Sequence, residues 1–445
     1  MTRTRTLLLT LPLALALGLS AGPAATADPG TEPARGTQAP QLVIDSDFPD
    51  PDVIEVDGTY HAYSTSSPGK GQVPHATAPD VRGPWTVQSD VFVPKETWPD
   101  WIRTTHGFWA PDVSERPDGS FLMYFTARND DNGRMCLSAA TADGPAGPFV
   151  PQDDPLVCNP EEGGNIDASS FVDTDGTHYL LYKNDGNAIG QPSILWLQRT
   201  DAAGTTLLGE RRELLRNDQP ADQGVIEAPV LVKRPSHYVL FFSAGVYTGG
   251  GYYTGYATAP SLDGPWTRAP EPLMTTDSLG GAVDGPGGQD VLDDTIVFHG
   301  HLPAGGRGMY TADLGWDADH PVVRGSTVRL EAEDATLHGV QTVDDATASG
   351  GAAVTGLDAE GDRVSVRVFA PADGGYTLRL GYAADGPVAQ GLAVDDGPAR
   401  AVGLPARDAG GWQELTVDLE LTAGAHTLHL EHVRGSARLD SLDLA

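Results

Sequence analysis

Hydrophobic positions along this chain alternate in short runs with a period of two, and no helical periodicity separates them. Residues 48–65 read FPDPDVIEVDGTYHAYST: two carboxylates around a proline, an alternating run, an Asp-Gly turn and an aromatic-rich second run. That pattern predicts a β-hairpin with an aspartate at its entrance. It returns at 110–126 (APDVSERPDGSFLMYFT), 166–183 (IDASSFVDTDGTHYLLYK) and 227–243 (EAPVLVKRPSHYVLFFS). A fifth, degenerate copy is GPGGQDVLDDTIVFHG at 285–300. Copies lie roughly 55 to 60 residues apart, a period that marks a repeat architecture. Gly83-Pro84-Trp85, Gly147-Pro148-Phe149 and Gly264-Pro265-Trp266 recur after their hairpins, like the outer strands of successive blades.

Five all-β units of this kind predict a five-bladed β-propeller of four-stranded sheets. The first strand of a blade is innermost. Asp50, Asp167 and Glu227 each open a copy, so all three are expected at one end of the axial channel. Convergent carboxylates suit glycoside hydrolysis.

Asp50-Pro51, Trp109-Ala110-Pro111-Asp112, Ile166-Asp167-Ala168-Ser169-Ser170-Phe171 and Glu227-Ala228-Pro229 follow one another at blade spacing. In these four motifs the chain, over about 41–324, resembles glycoside hydrolase family 43. The resemblance implies inverting hydrolysis with Asp50 as general base, Glu227 as general acid and Asp167 as the group that orients the acid and raises its pKa. Strand alternation puts Asp50 and Asp52 on the same side, so spacing does not choose between them; the family motif selects Asp50. Asp112 stands where Asp52 does in its own copy and reads as structural. The VIEAPVLV surroundings of Glu227 predict an apolar setting that keeps its carboxyl protonated. The loop KETWPDWIRTTHGFWA offers Trp98, Trp101 and Trp109 for stacking on a sugar, with Phe108 read as core and His106 as a hydrogen-bond candidate. Lys183, at the head of KNDGN, and Arg307 are further substrate-binding candidates. The fifth copy departs from the family: Gly285-Pro286-Gly287-Gly288 stands where many relatives have Gly-Pro-Gly-His. Loss of that His removes the expected holder of an axial water or calcium, and His299 or His301 is the candidate replacement.

Residues 327–445 change character. Aromatics thin out and short alternating strands follow, VRLEAEDA, DRVSVRVFA, YTLRLGYAA, GLAVDD, WQELTVDLEL, HTLHLEH and ARLDSLDLA. They predict a β-sandwich. Leu330-Glu331-Ala332-Glu333, Ser349-Gly350-Gly351 and Leu439-Asp440-Ser441-Leu442 resemble a carbohydrate-binding module of family 35 or 6. The resemblance implies a structural calcium on Glu331, Glu333 and Asp440, and a sugar-stacking role for Trp412 with Tyr382 beside it. Only a few residues separate the two domains, so they are expected to pack together and not to swing on a linker.

Composition narrows the setting. Residues 1–27 carry Arg3 and Arg5, an apolar run and Ala25-Thr26-Ala27, the pattern of a secretory signal. Residues 28–40, rich in Pro, Gly and Thr, are expected to be disordered. An even cysteine count in a secreted chain predicts a Cys136–Cys158 disulfide. The formal net charge of -33 repels nucleic acid and anionic membranes and suits a neutral polysaccharide. The expected function is removal of α-L-arabinofuranosyl residues from plant cell-wall arabinan or arabinoxylan by a secreted monomer that needs no catalytic cofactor. The alternatives are a β-D-xylosidase of the same family, a related fructosidase, or a catalytically silent sugar-binding propeller.

Overall fold

The computed structural model describes residues 40–406 and 411–445, and the expected signal (1–27) and the segment after it, up to residue 39, lie outside them. The fold is all-β, with only single 3₁₀ turns between strands. No helix among the described residues is long and apolar enough to cross a membrane.

Five antiparallel sheets carry the first part of the chain. The first four each contain four strands in sequence order, opening with Asp52–Val56, Trp109–Glu115, Asn165–Val172 and Ile226–Lys233. The fifth runs Asp284–Leu292, Thr295–His301, Arg307–Asp317, and takes Gln41–Ile44 from the start of the described chain as an outer strand. The opening strands lie side by side in order, and the fifth returns to the first, so the ring closes. Second strands such as FLMYFTAR and YVLFFSA are buried almost throughout. Their apolar runs are continuous because neighbouring sheets cover both faces. Each Gly-Pro-aromatic triplet stands directly before the outermost strand of its sheet.

Left-handed residues recur at the equivalent place in, or just before, each opening strand. They are Asp50, Ala110, Asp167, Ala228 and Gly288, with φ between 41° and 55°. Four of the five are not glycine, at a cost of about 1–3 kcal/mol each. In the second to fifth sheets the ladder slips across this residue. In the first, second and fifth sheets the residue two places on is an aspartate that latches the next sheet. Asp52 Oδ2 accepts the Val113 amide at 2.9 Å, Asp112 Oδ1 that of Ser170 at 3.1 Å, and Asp290 Oδ2 that of Val53 at 3.0 Å. The last of these joins the fifth sheet to the first. Asp112 is thus structural, as expected.

Burial raises these axial acids above the usual range, and neighbouring carboxylates add to the rise at Asp52 and Asp112, the latter reaching about 7. Their folded pKa values exceed the unfolded ones. The stability they contribute is therefore complete below about pH 3.8 and drains as pH rises toward 7. The melting temperature should fall by a few degrees between pH 5 and 7.5, and Asp112→Asn should flatten that slope. An unchanged slope in the variant would refute the assignment.

The rest of the chain forms two five-stranded sheets, one running Thr336–His338, Arg363–Ala370, Gly424–Arg434, Val388–Val394, Arg400–Leu404, the other Gln341–Asp344, Ala352–Thr355, Arg438–Leu444, Gly374–Ala383, Gln413–Leu421. Strict alternation in RVSVRVFA sends Val364, Val366 and Val368 into a core shared with Leu378, Leu380, Leu430 and Leu442. VRLEAEDA is not a strand. It pairs only through isolated bridges, Val328 to Leu444 and Glu331 to Ser441, and ends in a 3₁₀ turn at Ala332–Asp334. These sheets pack on the preceding ones, as the short connection predicts. Arg324 is buried, donates to Asp313 and to the carbonyls of Asp373 and Gly375, and lies over the Tyr376 ring.

The Cys136–Cys158 disulfide is present. Chain-entropy arguments for a loop of 22 residues give about 3 kcal/mol of stabilisation. A Cys136→Ala/Cys158→Ala double variant should therefore melt several degrees lower, with a correspondingly lower denaturation midpoint.

Candidate active site

Asp50, Asp167 and Glu227 come from the first, third and fourth sheets and line one cavity of about 190 Å³, with Thr65, Trp109, Tyr247, Tyr252 and Arg307 among its other walls. A larger cleft of about 810 Å³ adjoins it, shares Trp109, Ile166, Glu227 and Tyr247, and continues past Asn187, Gln191, Asn217 and Gln223. Glu227 thus stands where the smaller cavity meets a carboxamide-lined groove.

The left-handed turn at Asp50 separates it from Asp52. Asp50 faces the cavity, whereas Asp52 is buried on the axis. Geometry therefore does choose between them, contrary to simple strand alternation. Asp50 Oδ1 accepts Arg307 Nη1 at 3.0 Å and Oδ2 accepts Thr65 Oγ1 at 2.6 Å, while His299 Nδ1 is 3.2 Å from Oδ1. Burial opposes ionisation here, but Arg307, His299 and Thr65 outweigh it and hold the carboxyl well below the usual range.

Glu227 sits in polar and not apolar company. Lys183 Nζ is 2.8 Å from Oε2 and Tyr252 donates its hydroxyl to Oε1 at 2.8 Å. Lys183 is fully buried and pairs with Glu227. The short apolar spelling around Glu227 described its backbone neighbours, while the partners arrive from other strands. Asp167 Oδ2 accepts the Ala228 amide at 3.1 Å. Burial, then the nearby Glu227 charge, pushes Asp167 up to about 7.

The remaining candidates divide. Trp109 is 37% exposed and lines both cavity and cleft, and Arg307 lines the cavity. Phe108 is core, as expected, but so is Trp101, and Trp98 packs half-buried against that core on Phe92 and Phe108. His106 lies outside the cavity lining and meets Arg128 Nη1 at 2.9 Å. His299, not His301, occupies the space beside Gly288, while His301 binds the Tyr247 carbonyl and Asp284. Thr65, Tyr247 and Tyr252 have no motif of their own, and only the fold gathers them.

In the last two sheets Trp412 Nε1 donates to Thr347 Oγ1 at 3.1 Å, with Arg438 over its ring. Tyr382 is buried and donates to the Pro405 carbonyl, so it is not free to stack on a sugar. Ser349 brings Glu331 and Asp440 together, its hydroxyl donating to Glu331 and its amide to Asp440, and Gly350 lies against Glu333. Glu333 Oε2 is buried without a hydrogen-bond partner, and an all-oxygen set of this kind has the chemistry for a hard cation. Among the described residues no three such side chains are arranged to hold a metal ion as they stand.

Comparison with known proteins extends this picture. Residues 40–321 match the model of glycosyl hydrolases family 43, and residues 328–445 that of carbohydrate binding module family 35. The chain is 27% identical over 214 residues to a beta-D-galactofuranosidase of Aspergillus niger, covering 44% of this chain and 57% of that protein. It is 26% identical over 256 residues to an extracellular endo-alpha-(1->5)-L-arabinanase of Bacillus subtilis, covering 52% of each. The chain therefore spans little more than half the length of these relatives. A crystal structure of a thermostable family-43 glycoside hydrolase superposes with a TM-score of 0.55 at 24% identity, covering 62% of this chain and 92% of that one. With a family model matched across more than half its length, the chain belongs to family 43 of the glycosyl hydrolases, and it carries a C-terminal family 35 carbohydrate binding module.

Proposed function

We propose that this glycoside hydrolase is a secreted, inverting α-L-arabinofuranosidase acting on arabinan or arabinoxylan. One observation carries the reading: Asp50 and Glu227, on separate sheets, face a single cavity, and Glu227 also lines the adjoining groove. The terminal sugar occupies the cavity and the remaining polymer lies along the carboxamides of the cleft. Asp50, kept ionised by Arg307, takes a proton from the attacking water. Glu227 delivers a proton to the leaving oxygen on the groove side. Asp167, beside Glu227, tunes and orients it. Trp109 offers the sugar a stacking face, with Arg307 and Lys183 fixing the carboxylates. The arabinanase among the relatives supports an arabinose-containing substrate.

In this reading the five closed sheets are the blades of a propeller over 41–324, and 327–445 is a β-sandwich whose Glu331, Glu333 and Asp440 hold calcium and whose Trp412 faces polysaccharide. The signal-like start and the disulfide support secretion.

The test is turnover of p-nitrophenyl α-L-arabinofuranoside, p-nitrophenyl β-D-xyloside and linear arabinan. Faster release from the arabinoside, with arabinose from arabinan, is expected. Preference for the xyloside would replace the substrate. No turnover of any of the three by folded protein would refute the reading.

A further inference from the structure

The fifth opening strand holds Gly287-Gly288, and the space above both glycines is taken. A Cβ on Gly287 would lie 2.2 Å from Tyr252 Cε1. One on Gly288 would lie 2.5 Å from His299 Nδ1 and 2.8 Å from Asp50 Oδ1. Neither position could carry a side chain with these two rings in place.

The rings lie against each other, with centroids 5.8 Å apart and planes 6° from parallel. Tyr252 is 2% exposed and His299 fully buried. Each ends on a different carboxylate. Tyr252 donates its hydroxyl to Glu227 Oε1 at 2.8 Å. His299 Nδ1 lies 3.1 Å from the Asp50 amide and 3.2 Å from Asp50 Oδ1, so either tautomer ties the ring to Asp50. Arg307 Nη1 closes the other side of the imidazole at 3.4 Å from Nε2.

We infer that the Tyr252–His299 stack, seated on Gly287-Gly288, is the positioning element that fixes Glu227 and Asp50 relative to each other. This rests on the reading of those carboxylates as acid and base. Glycine at 288 is then no lost function: the imidazole enters the same space from the neighbouring strand Thr295–His301. The two positioning residues act differently. Tyr252 aims the acid, and burial keeps its phenol protonated and able to donate. His299 aims the base, and burial with Arg307 beside it keeps the ring neutral.

The test uses the full chain and four variants, Tyr252→Phe, His299→Phe, His299→Gln and Gly288→Ala, with melting curves to establish folding. Each is assayed on the nitrophenyl glycoside that the wild type cleaves fastest and on an arabino-oligosaccharide, whose leaving group needs protonation. Tyr252→Phe keeps the stack and removes one hydrogen bond to a carboxylate. It should lower kcat on the oligosaccharide about 10- to 100-fold and on the nitrophenyl glycoside far less, with KM little changed. His299→Phe should lower kcat equally on both substrates, and His299→Gln, which keeps a donor, should recover part of it. Gly288→Ala should follow His299→Phe although it deletes no polar group. Equal losses from Tyr252→Phe on both substrates, or full activity in Gly288→Ala, would overturn the inference while leaving Asp50 and Glu227 in place. An inactive wild type would overturn the acid-and-base reading and the inference with it.

Discussion

An Asp50→Asn variant should fold and lose about 10²- to 10⁴-fold in kcat, the usual contribution of a general base. The loss should be the same on nitrophenyl glycosides and on oligosaccharides. Water activation precedes no leaving-group choice, so leaving-group quality does not compensate. Asparagine keeps the shape of the side chain and one acceptor for Arg307 and Thr65, whose contacts with Asp50 are short. The melting temperature is therefore expected to move little. The smaller Asp50→Ala opens room beside His299 and Arg307, and azide should restore glycosyl transfer there as the azide adduct. Initial rates with and without azide check this. A loss under about tenfold in kcat would remove Asp50 from the mechanism.

Glu227→Gln should show the opposite signature. On arabino-oligosaccharide kcat should fall about 10²- to 10⁴-fold, because the leaving alkoxide needs a proton. Nitrophenolate leaves without one, so the nitrophenyl substrate should retain most of its rate. The choice of Gln matters because Lys183 is fully buried against Glu227. Removing one partner of a buried ion pair costs about 3–5 kcal/mol, and an amide at least leaves Lys183 an acceptor. Parallel melting curves separate a stability loss from a chemical one. Equal losses on both substrates would mean that Glu227 is not the acid.

Much of this site was legible because repeat and motif coincide. The carboxylate at the mouth of a hairpin is a local feature of the spelling, and its recurrence located Asp50, Asp167 and Glu227. Other parts were not local. Strand alternation assigned Asp50 and Asp52 to one side, and the left-handed residue at Asp50 reversed that. The left-handed residues at 50, 110, 167, 228 and 288 also show that Glu227 precedes its equivalent position by one place. Proline after Asp50, Ala110 and Ala228 was the available signal for that turn. The polar company of Glu227 was invisible for another reason. Lys183 lies at the end of the second strand of the third sheet and Tyr252 directly before the third strand of the fourth, far from Glu227 in sequence. Trp98 and Trp101 show the converse error: an aromatic-rich loop reads as a sugar platform, but the Trp101 indole lies in the core and that of Trp98 packs half-buried against it. The paired glycines at 287 and 288 did carry information. Glycine in a strand interior marks a close approach, and here the approaching groups are the rings of Tyr252 and His299.

In the proposed mechanism Asp50 and Glu227 act as base and acid across one sugar, with water attacking from the Asp50 side. The most direct measurement is the anomer first released from an α-L-arabinofuranoside, followed by proton NMR before mutarotation. The proposed mechanism gives the inverted β anomer first, with Asp50→Asn abolishing its appearance. Release of the α anomer first would contradict it, because retention requires a carboxylate to attack the sugar.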